Sequence, residues 1–118
     1  MSEAPRATGS RRRAAGPPRW QDPQLDEAAL DVARRVRGVV AGLRERGNAR
    51  WVAYLEALVP AFEDGDRADL QAAGRRVRAA FGARDSLLDA APDGDPLRLR
   101  DAVDRLLVLL ERRAAVEG

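Results

Sequence analysis

Glu63, Asp64, Asp66 and Asp69 place four carboxylates within seven residues, and Asp93 and Asp95 form a second, smaller group. Crowded oxygens of this kind are what a divalent cation requires. A calcium loop, however, spreads its ligands through roughly twelve residues and closes on a Glu, and neither group has that spacing. Helix capping gives Asp66, Asp69 and Asp95 a different occupation, since Asp at a helix start accepts from free backbone N–H groups. The expectation is that no metal binds. The remaining nucleophile candidates are the hydroxyls of Ser86 and Tyr54, and the chain has no histidine to activate them. No cysteine is present, which removes thiol chemistry, thiolate metal sites and disulfides together. Phosphate-cradling loops are glycine-rich; Asp64-Gly65-Asp66 is acidic and repels phosphate. These absences predict a protein that is not an enzyme and carries no cofactor.

The basic residues offer a second kind of chemistry. All 21 are arginine, a bias that, with the abundant Ala, points to a GC-rich bacterial genome. Residues 1–21 hold five Arg against Glu3, net +4, so the rest of the chain is −2 against a total of +2. The region that folds is therefore close to balanced. The high isoelectric point reflects a flat titration curve, because a chain without His, Cys or Lys has few groups that titrate in the alkaline range. Arg11, Arg12 and Arg13 could grip phosphates from a flexible tail with strong salt dependence. That is the alternative function, a small helical nucleic-acid-associated protein. The 4% aromatic content argues against a base-stacking platform, and the stronger expectation is that nucleic acid is not the partner.

Residues 1–21 lack any hydrophobic period and are rich in Arg, Pro and Gly, a composition that predicts a disordered tail. Trp20 would fold back as a staple-like contact on the first helix. From Asp22 onward, to residue 116, the pattern is helical throughout. Asp22-Pro23 opens a first helix by N-cap and N1 preference. Its stripe of Leu25, Ala29, Val32, Val36, Val39 and Leu43 keeps a 4,3 spacing. Asp31 and Arg35 stand four apart as an ion pair on its wet side. Gly47 ends it and Asn48 caps the next, where Trp51, Leu55, Leu58 and Phe62 repeat the spacing. Val52, Val59 and Tyr54 widen that face, so the second helix should be the most buried. Pro60 predicts a kink, or a new turn beginning there.

Gly65 is expected in the loop with positive φ, and Asp66 with Asp69 as a capping box at the start of a third helix, 67–82. Small residues make that helix thin, so a neighbour can come close. A loop covers 83–94, with a helical turn near 85–90 from which Leu87 and Leu88 enter the core. Asp95-Pro96 starts a last helix with the stripe Leu99, Val103, Leu106, Leu110. Arg100–Asp104 and Asp101–Arg105 are four-apart pairs on its outer side. Leu97, Leu107, Val108 and Leu109 broaden it to nearly all sides near its C-terminal half, which demands either a central position or a partner chain. Short connections favour antiparallel neighbours. The predicted fold is all-α, a four-helix up-down bundle with a disordered N-terminal tail. No signal peptide follows the arginine run, and no apolar run approaches a membrane span. A cytoplasmic, membrane-independent protein is expected.

Arg50-Trp51, Leu55, Leu58, Ala61, Gly65-Asp66, Leu70 and Ala73, followed by Pro96-Leu97-Arg98-Leu99-Arg100, Val103 and Leu106-Leu107, resemble the small helical protein associated with CATRA conflict systems. The likeness spans roughly residues 50–110. It departs at Phe81-Gly82-Ala83-Arg84-Asp85, where the family tends to have a Gly-Pro-type turn. The resemblance implies a non-enzymatic accessory component of a bacterial anti-invader system with a caspase-like protease, acting as an adaptor or regulator of a larger protein. No catalytic residues come with it. Partner-binding residues are expected at Trp51, Leu107 and Leu109, with a larger conflict-system component or a second copy as the partner.

Overall fold

The computed structural model of this 118-residue chain describes residues 19–82, 87–90 and 95–117, without the side chains of Trp20 and Glu117. Among these residues the fold is all-α, with no strand. A 3₁₀ turn at Arg19–Gln21 precedes α1 (Pro23–Glu45), α2 (Ala49–Glu56), α3 (Val59–Asp64), α4 (Arg67–Ala79), α5 (Leu87–Ala90) and α6 (Asp95–Glu117). With α2 and α3 taken as one broken arm, four long arms remain and α5 is a single turn. The arginine run 11–13, Ser86, Asp93 and the expected turn at 91–94 lie outside the described residues.

Local chemistry places the helix ends. Asp22 accepts from the backbone N–H of Leu25 at 3.3 Å, and Asn48 from that of Trp51 at 3.3 Å. Asp66 and Asp69 form a reciprocal capping box, with bonds of 2.9 and 3.2 Å. At the end of α1, Gly47 takes φ 72°, its N–H bonds the Arg44 carbonyl, and the next N–H reaches back to Leu43. This is a Schellman closure, and it needs the left-handed conformation that glycine adopts without steric cost.

Two details differ from the sequence expectation. Gly65 is not at positive φ; it sits at φ −73°, ψ 159°. Its reason is space: a Cβ there would stand 2.6 Å from the Ala61 carbonyl oxygen and 2.7 Å from the Asp69 Cβ. Arg19–Gln21, expected within the tail, form a 3₁₀ turn tied to the bundle. The Arg19 side chain is 8% exposed. It donates to Asp26 at 3.0 Å and to the carbonyls of Phe62 at 2.8 Å and Gly65 at 3.2 Å. A guanidinium thereby satisfies carbonyls at the C-terminal end of α3, where the helix dipole favours positive charge.

Inter-helix contacts establish the directions. Arg37 pairs with Glu63 and Arg44 with Glu56, so seven residues up α1 correspond to seven down the α2–α3 arm. Tyr54 reaches the carbonyl of Arg76, while the short α3–α4 connection holds Asp64 beside Arg67, again antiparallel. Gly74 faces Leu107 and Arg78 pairs with Asp104. The four-residue step on α4 thus runs against a three-residue step on α6. Arg113 near the end of α6 meets Asp22 and Gln24 at the start of α1. The arms alternate up and down, as a bundle with short connections should. Asp104 is engaged by Arg78 of α4 at 2.9 Å, a bond across helices where the sequence offered a partner within its own helix. The Asp31–Arg35 pair does form, at 3.6 Å, with Arg34 closer at 2.5 Å.

The core is built by α1 and α6, each 23 residues long, or about 35 Å of helix. α6 lies between α1 and α4. Leu99, Val103 and Leu106 are fully buried; Leu109 and Leu110 are nearly so. α4 approaches closely because Gly74 has no side chain: the Leu107 Cδ2 lies 2.9 Å from where its Cβ would be. Leu87 on α5 is fully buried and Leu88 packs against the core.

The second arm is not the most buried. It breaks at Ala57-Leu58, because Pro60 lacks the N–H that would bond to Glu56 and its ring clashes with the preceding turn. α3 restarts with Pro60 in its first turn, where proline is tolerated. Phe62 of α3 is fully buried, but of the eight residues of α2 only Leu55 is.

The two kinds of glycine predict opposite responses. Gly65→Ala drives a methyl into backbone and should destabilise by about 1–3 kcal/mol. Gly38→Ala adds a methyl that meets nothing within 4 Å and should stabilise α1 by about 0.5–1 kcal/mol. Urea denaturation followed by circular dichroism measures both.

Candidate functional site

Three of the four acids of the α3–α4 corner are absorbed by structure. Asp66 and Asp69 cap α4, and Glu63 pairs with Arg37. Among the described residues no group of three or more His, Cys, Asp or Glu is arranged to hold a metal ion. The Tyr54 hydroxyl donates to the Arg76 carbonyl at 2.8 Å, so that hydroxyl serves as a tether between α2 and α4.

Asp22 is a carboxylate with several partners. It accepts from Arg113 at 2.7 and 3.2 Å through both oxygens, caps Leu25, and has Arg67 at 3.6 Å. One side chain thereby joins the start of α1, the first residue of α4 and the last turns of α6. The Arg113 hydrogen bonds hold the Asp22 carboxyl below its ordinary 3.8; partial burial opposes them, and the Leu25 N–H and the charges of Arg113 and Arg67 add to the lowering. A carboxylate depressed in the folded state stabilises fully above its unfolded value, and that contribution is lost as pH falls through the lower folded value. The geometry is that of a clamp on the scaffold.

The three residues expected to bind a partner separate in space. Leu109 is 7% exposed and belongs to the core. Leu107 is half-buried against Gly74. The apolar run of α6 is accounted for by its position between two helices, and Val108 alone of Leu106–Leu110 is exposed, at 42%. Trp51 remains. It is half-buried at the start of α2, edge-to-face with Tyr54 at 5.5 Å and 85°, and the Arg50 guanidinium lies 5.3 Å from its ring centre. Trp51 belongs to the α2 end of the hairpin; Leu107 packs further back along α4.

Openings flank α2 on both sides. Towards α1, a groove of about 480 Å³ is lined by Arg37, Val40, Arg44, Glu56, Val59 and Pro60, where the helix break widens the seam. Its arginines are spoken for by Glu63 and Glu56. Towards α4, a groove of about 400 Å³ is lined by Arg50, Trp51, Tyr54, Ala79 and Ala80. Here the two hairpin arms part, and two aromatic rings bridge the gap. This aromatic groove is the candidate site. Sequence reasoning named Trp51 but missed Arg50, Tyr54, Ala79 and Ala80 as its surroundings. The four-residue spacing of Arg50 and Tyr54 was a usable signal for α2, whereas Ala79 and Ala80 joined only through the fold.

No protein-family model, curated protein or solved structure matches this chain.

Two outcomes check these assignments. As pH falls below the ordinary carboxyl value of 3.8, stability should fall as Asp22 takes up its proton, and Asp22→Asn should be less stable near neutrality with a flatter acid limb in thermal melts. On α6, Leu109→Asp should abolish cooperative folding by burying a charge, whereas Val108→Asp should change stability by no more than about 0.5 kcal/mol.

Proposed function

We propose that this chain is a non-enzymatic adaptor or regulatory component that acts by protein–protein interaction. The observation that carries the reading is the aromatic groove between α2 and α4. Trp and Tyr rings kept partly outside the core, beside arginine, are the side chains most enriched at interface hot spots. The scaffold behind them is a packed helical core whose polar groups are spent on caps and clamps. A chain with neither His nor Cys brings little catalytic chemistry to that surface.

The setting proposed is a bacterial conflict system, in which the chain is an accessory to a larger component built around a caspase-like protease. The support is the resemblance carried by Arg50-Trp51, Leu55, Leu58, Gly65-Asp66 and the Pro96–Leu107 segment, and Trp51 is both part of that resemblance and part of the groove. The site of action is the cytoplasm, in keeping with a cysteine-free chain. No described helix is long and apolar enough to cross a membrane.

Co-expression with the proteins encoded beside it tests the reading. The expected result is a stoichiometric complex with one of them that survives deletion of residues 1–18 and is lost with Trp51→Ala, in a variant that stays helical by circular dichroism. A chain that captures none of its genetic neighbours and binds DNA or RNA only while residues 1–18 are present would reverse the assignment in favour of the arginine tail.

A further inference from the structure

The groove beside Trp51 has a charge pattern that its floor does not explain. Arg75 and Arg76 stand on α4 four residues before Ala79 and Ala80, which line the groove, and so share a helix face with them; the Tyr54 hydroxyl bonds the Arg76 backbone carbonyl beside them. Arg50 lines the opposite wall. All three side chains are exposed, and none has a carboxylate partner among the described residues. On α1, and at Arg78 of α4, the same residue type is matched: Arg34 with Asp31, Arg37 with Glu63, Arg44 with Glu56, Arg78 with Asp104; Arg100, Arg105 and Arg112 of α6, away from the groove, have no such partner among the described residues either. Glu56 is the sole acid of α2, and α4 has none beyond Asp69. In a chain of net charge +2, this is a local excess of unpaired guanidinium around an apolar trough.

Guanidinium groups bind carboxylates bidentately, and an apolar trough between two helices accepts the apolar face of a third. A single-stranded nucleic acid would also bring negative charge, but its bases need open aromatic faces on which to stack. Trp51 has Arg50 over its ring and Tyr54 set against it at 85°, and the Tyr54 hydroxyl is already bonded to Arg76. The remaining opening beside Ala79 and Ala80 suits an aliphatic or single aromatic anchor better than a stack of bases.

We infer that the α2–α4 groove docks an acidic amphipathic helix of a partner protein, its apolar anchor entering beside Trp51 and its carboxylates meeting Arg50, Arg75 and Arg76. This rests on the reading of the chain as an interaction module and adds the chemistry of its partner. Complementary charge of this kind speeds encounter and rejects basic competitors, and it makes binding sensitive to salt.

The test is selection from a phage-displayed library of random peptides, each about sixteen residues and so able to form some four helical turns. The bait is the full chain carrying Trp20→Phe, so that Trp51 is the sole tryptophan reporter. The expected binders are rich in Asp and Glu, with apolar residues three and four apart, and they shift Trp51 emission. Their affinity for Arg50→Gln/Arg75→Gln/Arg76→Gln should fall at least tenfold. Those three side chains are exposed, and circular dichroism verifies the fold. Neutral or basic binders, or acidic binders that the triple variant retains, would overturn the proposal. So would single-stranded DNA that binds more tightly than any selected peptide and is lost in the same variant, or a dimer of the chain that dissolves in it. Capture of a genetic neighbour through Trp51 together with neutral binders would sink the acidic partner alone; capture of no neighbour at all would sink the interaction module.

Discussion

A helix with an apolar run as broad as Leu106–Leu110 needs cover on more than one face, and α6 is that helix. Leu99, Val103, Leu106 and Leu110 form one seam, but Leu107 and Leu109 flank it on opposite sides, so α1 and α4 cover it from two directions. α1 does so along its full 23 residues. α4 does so because Gly74 lets the two backbones come together over Leu107. Once α6 occupies the middle, the α2–α3 arm has to pack on the outside of α1. The exposure of α2 is thus a consequence of what α6 requires.

The polar interactions act as stops on this arrangement. Asp22 gathers Arg113 from α6 and Arg67 from α4 onto the start of α1. Arg19 closes the end of α3 by bonding to Phe62 and Gly65 carbonyls. Both clamps lie at the same end of the bundle, the end where Gly65 and the Asp66–Asp69 box also fit tightly. The opposite end has looser joints: α2 stands off from α4, and Trp51, Tyr54 and Arg50 line the space between them. The clamp residues at one end and the groove residues at the other are different side chains, so a change in either can be read without the other.

The distinction also explains how the apolar surplus of the last helix was misleading. An excess of apolar residues in one helix signals demand for cover, and a neighbour in the same chain meets that demand as well as a second protein does. Leu109 and Leu107 are consumed by the bundle, and Val108 is left as a single exposed residue of the kind any protein surface has. Trp51 differs because its helix is short, its arm is broken, and no other helix closes over it.

Much of this molecule is written locally. Asp22, Asn48 and the Asp66–Asp69 pair name their own helix starts, Gly47 its helix end, and the 4,3 stripes the faces that turn inward, because each depends only on residues within a turn or two along the chain. Pro60 likewise announces a break by its missing N–H. The order of burial among the arms was not local. The second arm and the last helix both read as widely apolar, and which of them takes the centre depends on continuity: α6 offers an unbroken stripe, while the break before Pro60 divides the other into two short pieces. The role of Gly65 as a close contact, the reach of Arg19 across 43 and 46 residues, and the meeting of Arg50 with Ala79 across one groove were decided by tertiary structure alone, since packing brings together residues whose separation along the chain carries no trace of the contact.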